Sequence, residues 1–137
     1  VVISSLALHY IKSFEDVLDR VYKCLSTGGD FVFSVEHPIF TAQGPQDWYY
    51  DDKGNILHWP VDHYFTEGIR NAKFLGEEVI KYHRTLTTYL NSLIRKGFEI
   101  TGVVEPKPEK NMLNTVSGML DELRRPMMLL VSARKRL

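Results

Sequence analysis

The sequence predicts an α/β fold built on a mostly parallel sheet. Two short apolar runs, residues 1–5 and 30–35, flank an amphipathic helical pattern, and Gly28-Gly29 ends that pattern just before the second run. A strand, helix and strand of this size imply a right-handed crossover between parallel neighbours. At 137 residues the chain suits one ordinary domain with one modest core.

Residues 1–5 are uninterrupted and β-branched, as expected of a strand buried on both faces of a parallel sheet. The chain opens inside this run with no polar lead-in, which reads as a strand whose beginning is missing. Residues 6–10 leave its carboxyl end as a loop. Ser13 is the expected N-cap of the first helix, with Glu15 and Asp16 in the first turn, where the helix dipole favours acids. Phe14, Val17, Leu18, Val21, Tyr22 and Leu25 then recur at helical spacing. Cys24 is the only cysteine, so no internal disulfide forms, and its place on this helix predicts a buried small hydrophobe. Residues 30–35 follow as a second buried strand.

After Pro38 the pattern changes. Gly44-Pro45, Asp51-Asp52, Gly54-Asn55 and Trp59-Pro60 punctuate an irregular stretch reaching about Arg70. Its aromatics Phe40, Trp48, Tyr49, Tyr50, Trp59, Tyr64 and Phe65 predict an ordered cover, so residues 43–84 form an aromatic-rich lid inserted in the domain. Residues 80–82 suit a short strand or turn. Residues 85–96 place Leu86, Tyr89, Leu90, Leu93 and Ile94 on one helical face before Gly97. Residues 98–104 form a strand ended by Pro106 and Pro108, residues 113–124 a short helix, and residues 127–133 a last strand. The connection between these last strands has about twenty residues, and that length alone leaves their relative direction open.

Composition narrows the function classes. Seventeen basic and seventeen acidic side chains cancel, so nothing indicates nucleic acid or an anionic membrane as partner. No apolar run is long enough to span a bilayer, and a cytoplasmic location is expected. The five histidines (His9, His37, His58, His63, His83) lack metal-ligand spacing, so no metal is expected. Ser4-Ser5 lacks the glycine-flanked elbow of a serine hydrolase.

Taken together and in order, Val1-Val2-Ile3-Ser4-Ser5-Leu6-Ala7-Leu8-His9-Tyr10, a helix, and Leu25-Ser26-Thr27-Gly28-Gly29-Asp30-Phe31-Val32-Phe33-Ser34 resemble the fourth strand, following helix and fifth strand of the class I S-adenosylmethionine-dependent methyltransferases. Thr27 stands where that family usually has Pro. The stretch Ser34-Val35-Glu36-His37-Pro38-Ile39-Phe40-Thr41-Ala42, with Tyr82-His83-Arg84-Thr85-Leu86 opening a helix, is similar to the small-molecule branch that includes the ubiquinone and menaquinone methyltransferases. The resemblance covers essentially all 137 residues. It implies a partial Rossmann-like sheet, family strands four to seven, with the last strand antiparallel between the fifth and sixth. It also implies S-adenosylmethionine as cofactor and a small-molecule methyl acceptor. The Gly-rich turn after the family's first strand and the acid ending its second are absent from this sequence, so it corresponds to the C-terminal portion of one such domain. Gly28-Gly29 cannot stand in, because they end a helix and precede a strand.

Open parallel sheets bind ligands beyond the carboxyl ends of their strands, here the loops after residues 5 and 35. The resemblance places Ser5, Leu6 and Ala7 along the methionine part of the cofactor; plain core packing is the alternative for Leu6 and Leu8. His9 and Tyr10 would face the acceptor. His9 is the candidate base, since imidazole titrates near neutrality, with hydrogen bonding across the loop as its other reading. His37, held by the Pro38 that follows, and Thr41 are candidate acceptor contacts at the second loop, a purely structural turn being the alternative for His37. Glu36 is expected to be a solvated acid. His83 and Arg84 are candidates for binding an anionic acceptor at the cleft mouth, against a surface or capping role. The competing class is a non-catalytic binding module that self-associates: an unpaired apolar first strand is a template for pairing, so a homo-oligomer through this edge is expected.

Overall fold

The computed structural model describes residues 1–137. Strand β1 (Val2–Ser5) leads through a 3-10 turn (Leu8–Tyr10) to helix α1 (Phe14–Cys24), strand β2 (Asp30–Glu36) and the short helix α2 (Pro38–Thr41). Residues 43–84, the expected lid, follow with strands β3 (Tyr49–Tyr50), β4 (Ile56–His58), β5 (Gly68–Phe74) and β6 (Glu77–His83). Helix α3 (Leu86–Lys96), strand β7 (Phe98–Val104), helix α4 (Lys110–Leu113), a 3-10 turn (Asp121–Arg124) and strand β8 (Met128–Lys135) complete the chain.

The main sheet has the order β1-β2-β8-β7. β1 and β2 are parallel, and β8 runs antiparallel to both β2 and β7. The last strand therefore lies between its two predecessors, as the resemblance implied. A register shift between Ile100 and Gly102 accommodates the β7–β8 pairing. A Cβ at Gly102 would stand 2.9 Å from Ser132 Oγ, so a larger residue there would require the Ser132 side chain to move.

Both long helices have their predicted ends. The Ser13 hydroxyl accepts from the Asp16 N–H at the start of α1, and Thr85 does the same for Thr88 at the start of α3, each satisfying an orphan donor. Gly97 closes α3 at φ 103°. At the other end of α1, the Lys135 ammonium donates to the carbonyls of Tyr22 and Leu25, joining the last strand to the first helix.

The core lies between these helices and one face of the sheet. Phe31, Phe33 and Val35 from β2, Leu129, Val131 and Ala133 from β8 and Phe98 from β7 point inward by strand alternation. They meet Phe14 and Leu18 of α1 and Tyr89 and Leu93 of α3. Phe14 packs edge-on against Tyr89 and Phe33, with ring centroids 5.1 and 5.8 Å apart, an arrangement that the aromatic quadrupole favours.

Several sequence expectations need correction. β1 is not buried on both faces: Val2 joins the core margin, while Ile3 is 74% exposed on the face that α1 and α3 leave open. Cys24 is exposed, since the buried stripe of α1 runs through Phe14 and Leu18 to Leu25 and bypasses it. The helix expected over residues 113–124 does not form: α4 ends at Leu113 and only the 3-10 turn Asp121–Arg124 follows, with Gly118 at φ 81° and Asn114, Thr115 and Ser117 all poor helix formers. Residues 43–67 hold only the short β3 and β4, but the short strand or turn expected at residues 80–82 is part of a full hairpin. β5 and β6 form a seven-residue-per-strand hairpin closed by Leu75-Gly76, both at positive φ (51° and 82°) as a type I′ turn requires. Gly at the second position supplied the turn signal; Leu at the first hid it.

A second anchor ties the lid to the sheet. Arg125, just before β8, lies under the rings of Trp59, Trp48 and Phe40 at 4.4, 4.8 and 5.1 Å from their centroids. Its terminal nitrogens donate to Glu122, and its buried Nε has no hydrogen-bond partner. The ring faces thus supply much of the environment for this desolvated cation.

Leu93→Ala is expected to remove about 2–5 kcal/mol of stability, because Leu93 is wholly buried between α3 and the sheet. Ile3→Ala, on the open face, should cost less than about 1 kcal/mol. Urea denaturation of both variants checks this; equal losses would contradict the one-sided core.

Candidate functional site

The carboxyl ends of β1 and β2 lie side by side, with Ser5 opposite Ser34. The chain leaves β1 through Ser5, Leu6 and Ala7, all exposed. Leu6 adopts φ 49°, an uncommon conformation for a branched side chain. Its N–H is held by the Ser34 carbonyl at 3.0 Å and lies 3.1 Å from the Ser34 hydroxyl. This presents the loop outward beyond the strand end. Leu8 turns inward and belongs to the core.

His9 and Tyr10 then diverge. His9 is 1% exposed, and its Nδ1 accepts the Glu36 backbone N–H at 3.3 Å. Its other nitrogen faces the Glu36 carboxylate at 3.7 Å, too far for a hydrogen bond. The ring has no free lone pair for an acceptor's proton, so its geometry is that of a brace between the β1 loop and β2. Tyr10 is 37% exposed beside it. Burial, then the Glu36 charge, pushes its phenol above the ordinary value.

Beneath these residues is a polar cluster that sequence reasoning did not find. Lys81, 2% exposed on β6, donates to Glu36 Oε1 at 2.5 Å and to Gln46 Oε1 at 2.8 Å. Gln46 in turn donates to Glu36 Oε2 at 2.8 Å. Glu36 is therefore a buried, paired carboxylate rather than a solvated acid, and the lid hairpin is its partner. The available signal was the inward phase of β6, in which a lysine shares a face with His83.

The second loop is equally well tied. His37 Nδ1 accepts the Ile39 N–H at 3.0 Å, so Nε2–H donates to Glu105 at 2.6 Å beyond β7. Thr41 is buried and its hydroxyl donates to His83 Nδ1 at 2.8 Å, while His83 Nε2–H donates to the Tyr64 carbonyl at 2.7 Å. Arg84 donates to the carbonyls of Leu8, Ile11 and Lys12. His83 and Arg84 are thus not open at the cleft mouth: they are buried and spent on holding the lid and the first loop. Ser5 to Tyr10, Glu36, Thr41 and Arg84 converge at one end of the sheet, and His37 joins them through the β2–β7 tie.

Burial is the leading cause that holds His9, His37 and His83 below the ordinary histidine value. For His9 the Glu36 charge opposes this while Lys81 and Arg84 assist. For His37 the Glu105 carboxylate opposes it, and for His83 the bond to the Tyr64 carbonyl does. All three are best described as neutral rings whose hydrogen bonds fix one tautomer each.

An antiparallel last strand slotted beside a parallel pair, with ligand-facing loops at the parallel strands' carboxyl ends, is the architecture of S-adenosylmethionine-dependent methyltransferase structures. Two such structures make the match specific. One is a Listeria monocytogenes protein assigned as an S-adenosylmethionine-dependent methyltransferase, 58% identical with a TM-score of 0.92 over 98% of this chain and 60% of that one. Another is the S-adenosylmethionine-dependent methyltransferase of Mesorhizobium loti, 45% identical with a TM-score of 0.86 over 96% of this chain and 60% of that one. An uncharacterized protein of Haemophilus influenzae is 34% identical over 98% of this chain and 53% of its own length. The chain thus spans only 53% to 60% of these relatives. No family model matches it.

Two expectations follow from the cluster. Lys81→Met should cost about 3–5 kcal/mol by leaving Glu36 buried without its cation, and a Lys81→Met, Glu36→Gln double variant should recover part of that. Denaturant unfolding of the single and double variants decides it; a loss below about 1 kcal/mol for the single would mean that the pair is solvated. The histidines set the pH response. Unfolded rings take up protons near 6.5, whereas the folded ones do so lower, so the unfolded state binds more protons in between and stability falls as pH drops below about 6.5. The urea midpoint should decline from about pH 7 to about pH 5.5, and a midpoint that rises over this range would contradict the neutral assignments.

Proposed function

We propose that this chain works within a longer S-adenosylmethionine-dependent methyltransferase, in which it forms the acceptor-facing part of one domain. The 58% identity to the Listeria structure, with a TM-score of 0.92, carries this reading. The acceptor is a small molecule, as in the ubiquinone and menaquinone branch that the sequence around Glu36 to Ala42 resembles, and the lid over residues 43–84 covers it. The location is cytoplasmic; no helix is long and apolar enough to cross a membrane.

Ser5, Leu6 and Ala7 suit the methionine arm of the cofactor, being exposed at the carboxyl end of β1. Bound there, the cofactor supplies an electrophilic methyl group on a sulfonium. What this chain adds is placement. Tyr10 lines the acceptor side, His9 braces its loop against β2, and Thr41, His83 and Arg84 hold the lid over the cleft. His37 steadies the far loop through Glu105. A rigid site of this kind accelerates in-line transfer by alignment and exclusion of water. The adenosine and ribose contacts fall to residues outside this sequence, which has no Gly-rich turn after a strand.

Calorimetric titration with S-adenosylhomocysteine tests the division of labour. The 137-residue chain should bind undetectably, and a polypeptide extended upstream through the Gly-rich turn should bind and transfer a radiolabelled methyl group. Saturable binding by the 137 residues alone, or an extended protein inert toward both ligand and transfer, would overturn it.

The open edge favours a second role for the chain by itself. β1 is a terminal strand of the sheet, with Ile3 74% exposed. Such edges pair with further strands. The isolated chain should sediment as a dimer or larger at micromolar concentration, and Ile3→Lys should shift it toward monomer; a wild-type monomer would contradict edge pairing.

A further inference from the structure

The chain has four methionines, and all four line one cavity of about 420 Å³: Met112 in α4, Met119 in the following turn, and Met127 and Met128 at the start of β8. Its size falls within the range of small-molecule sites. The cavity opens between the segment after β7 and the start of β8, where Met128 pairs with Glu36 and the Met127 carbonyl accepts from His37, so it borders the loop after β2 and not the Ser5 to Tyr10 loop.

Thioether side chains are polarizable and flexible, so they mould to apolar and aromatic ligands and make favourable sulfur–ring contacts. Pro106 and Pro108 add apolar wall with no backbone N–H to satisfy. Two charged residues complete the lining. Glu122 is committed to Arg125 by two hydrogen bonds, at 2.5 and 3.2 Å. Lys107, between the prolines, is exposed and makes neither an ion pair nor a side-chain hydrogen bond. The site therefore offers an apolar, sulfur-rich interior and one uncommitted cation at its rim.

We infer that this cavity is a binding site for a small apolar carboxylate, aromatic or branched aliphatic, whose body lies among the four methionines and whose acid group faces Lys107. Charge complementarity selects the head group, because the remaining lining charge is already paired. The two adjoining backbones keep the site formed without ligand: the Met127 carbonyl accepts the His37 N–H at 2.8 Å, and Met128 pairs with Glu36 in the sheet.

Four methionines mean four labelled methyl signals. Protein carrying carbon-13 methionine methyl groups is titrated with 2-naphthoate and, separately, with the neutral 2-naphthamide, in the absence of S-adenosylmethionine. All four signals should move together and saturate with naphthoate, which should bind about two- to fivefold tighter than the amide. Lys107→Gln, at an exposed position, should bring the two affinities level while the four signals still move. Signals that move singly, fail to saturate or remain still would overturn the site. Equal affinity for acid and amide in the unmodified protein would overturn the carboxylate assignment. The titration reads no methyl transfer, so its outcome is independent of the proposed enzymatic role.

Discussion

The buried ion pair between Glu36 and Lys81 is the constraint on which the rest of the cleft depends. Glu36 is the last residue of β2, and Lys81 projects from the lid hairpin, 45 residues later in the chain. Neither charge tolerates burial without the other, so the end of the sheet and the lid must form together. Gln46 closes the triangle by bonding both partners. His9 and Tyr10 rest on this base, the one through the Glu36 backbone and the other over the Lys81 ammonium, 5.8 Å from its ring centre. The same pair thereby sets the floor beneath His9 and Tyr10.

Most polar side chains that looked reactive in the sequence turn out to be committed to partners within the fold. His9, His37, His83 and Arg84 all have internal partners, and all four bridge segments far apart in the chain. These bonds hold the loops at the carboxyl ends of β1 and β2 in fixed positions. They also explain why the outward-facing groups of the cleft are few: Ser5, Leu6, Ala7 and Tyr10.

The sheet was legible because its signals are local. The run of apolar residues in β2, the capping Ser13, and Gly97 after α3 each specify a boundary within a few residues, and the elements landed accordingly. The lid was not legible for the opposite reason. Arg70, Lys73, Glu77, Glu78 and Lys81 give β5 and β6 a polar, charged texture that masks their alternation, and the inward lysine makes sense only once Glu36 is known to face it. Residue roles failed in the same way. That Arg84 reaches back to the carbonyls of residues 8, 11 and 12 is a long-range fact with no sequence signature. The one-sided burial of β1 likewise depends on what packs on each face, and β-branched composition does not encode that.

The stacking of Arg125 under Trp48 and Trp59 has a spectroscopic consequence. These are the chain's two tryptophans, and both sit in the same cage, in edge-on contact at 5.1 Å and flanked by a guanidinium. The central core contains phenylalanines and Tyr89 but no indole. Intrinsic tryptophan emission therefore reports the seating of the lid and is blind to the sheet and its helices. An emission change on adding a ligand would signal movement at the cage, and a fluorescence melt would time the release of the lid, while the sheet would have to be followed by far-ultraviolet circular dichroism.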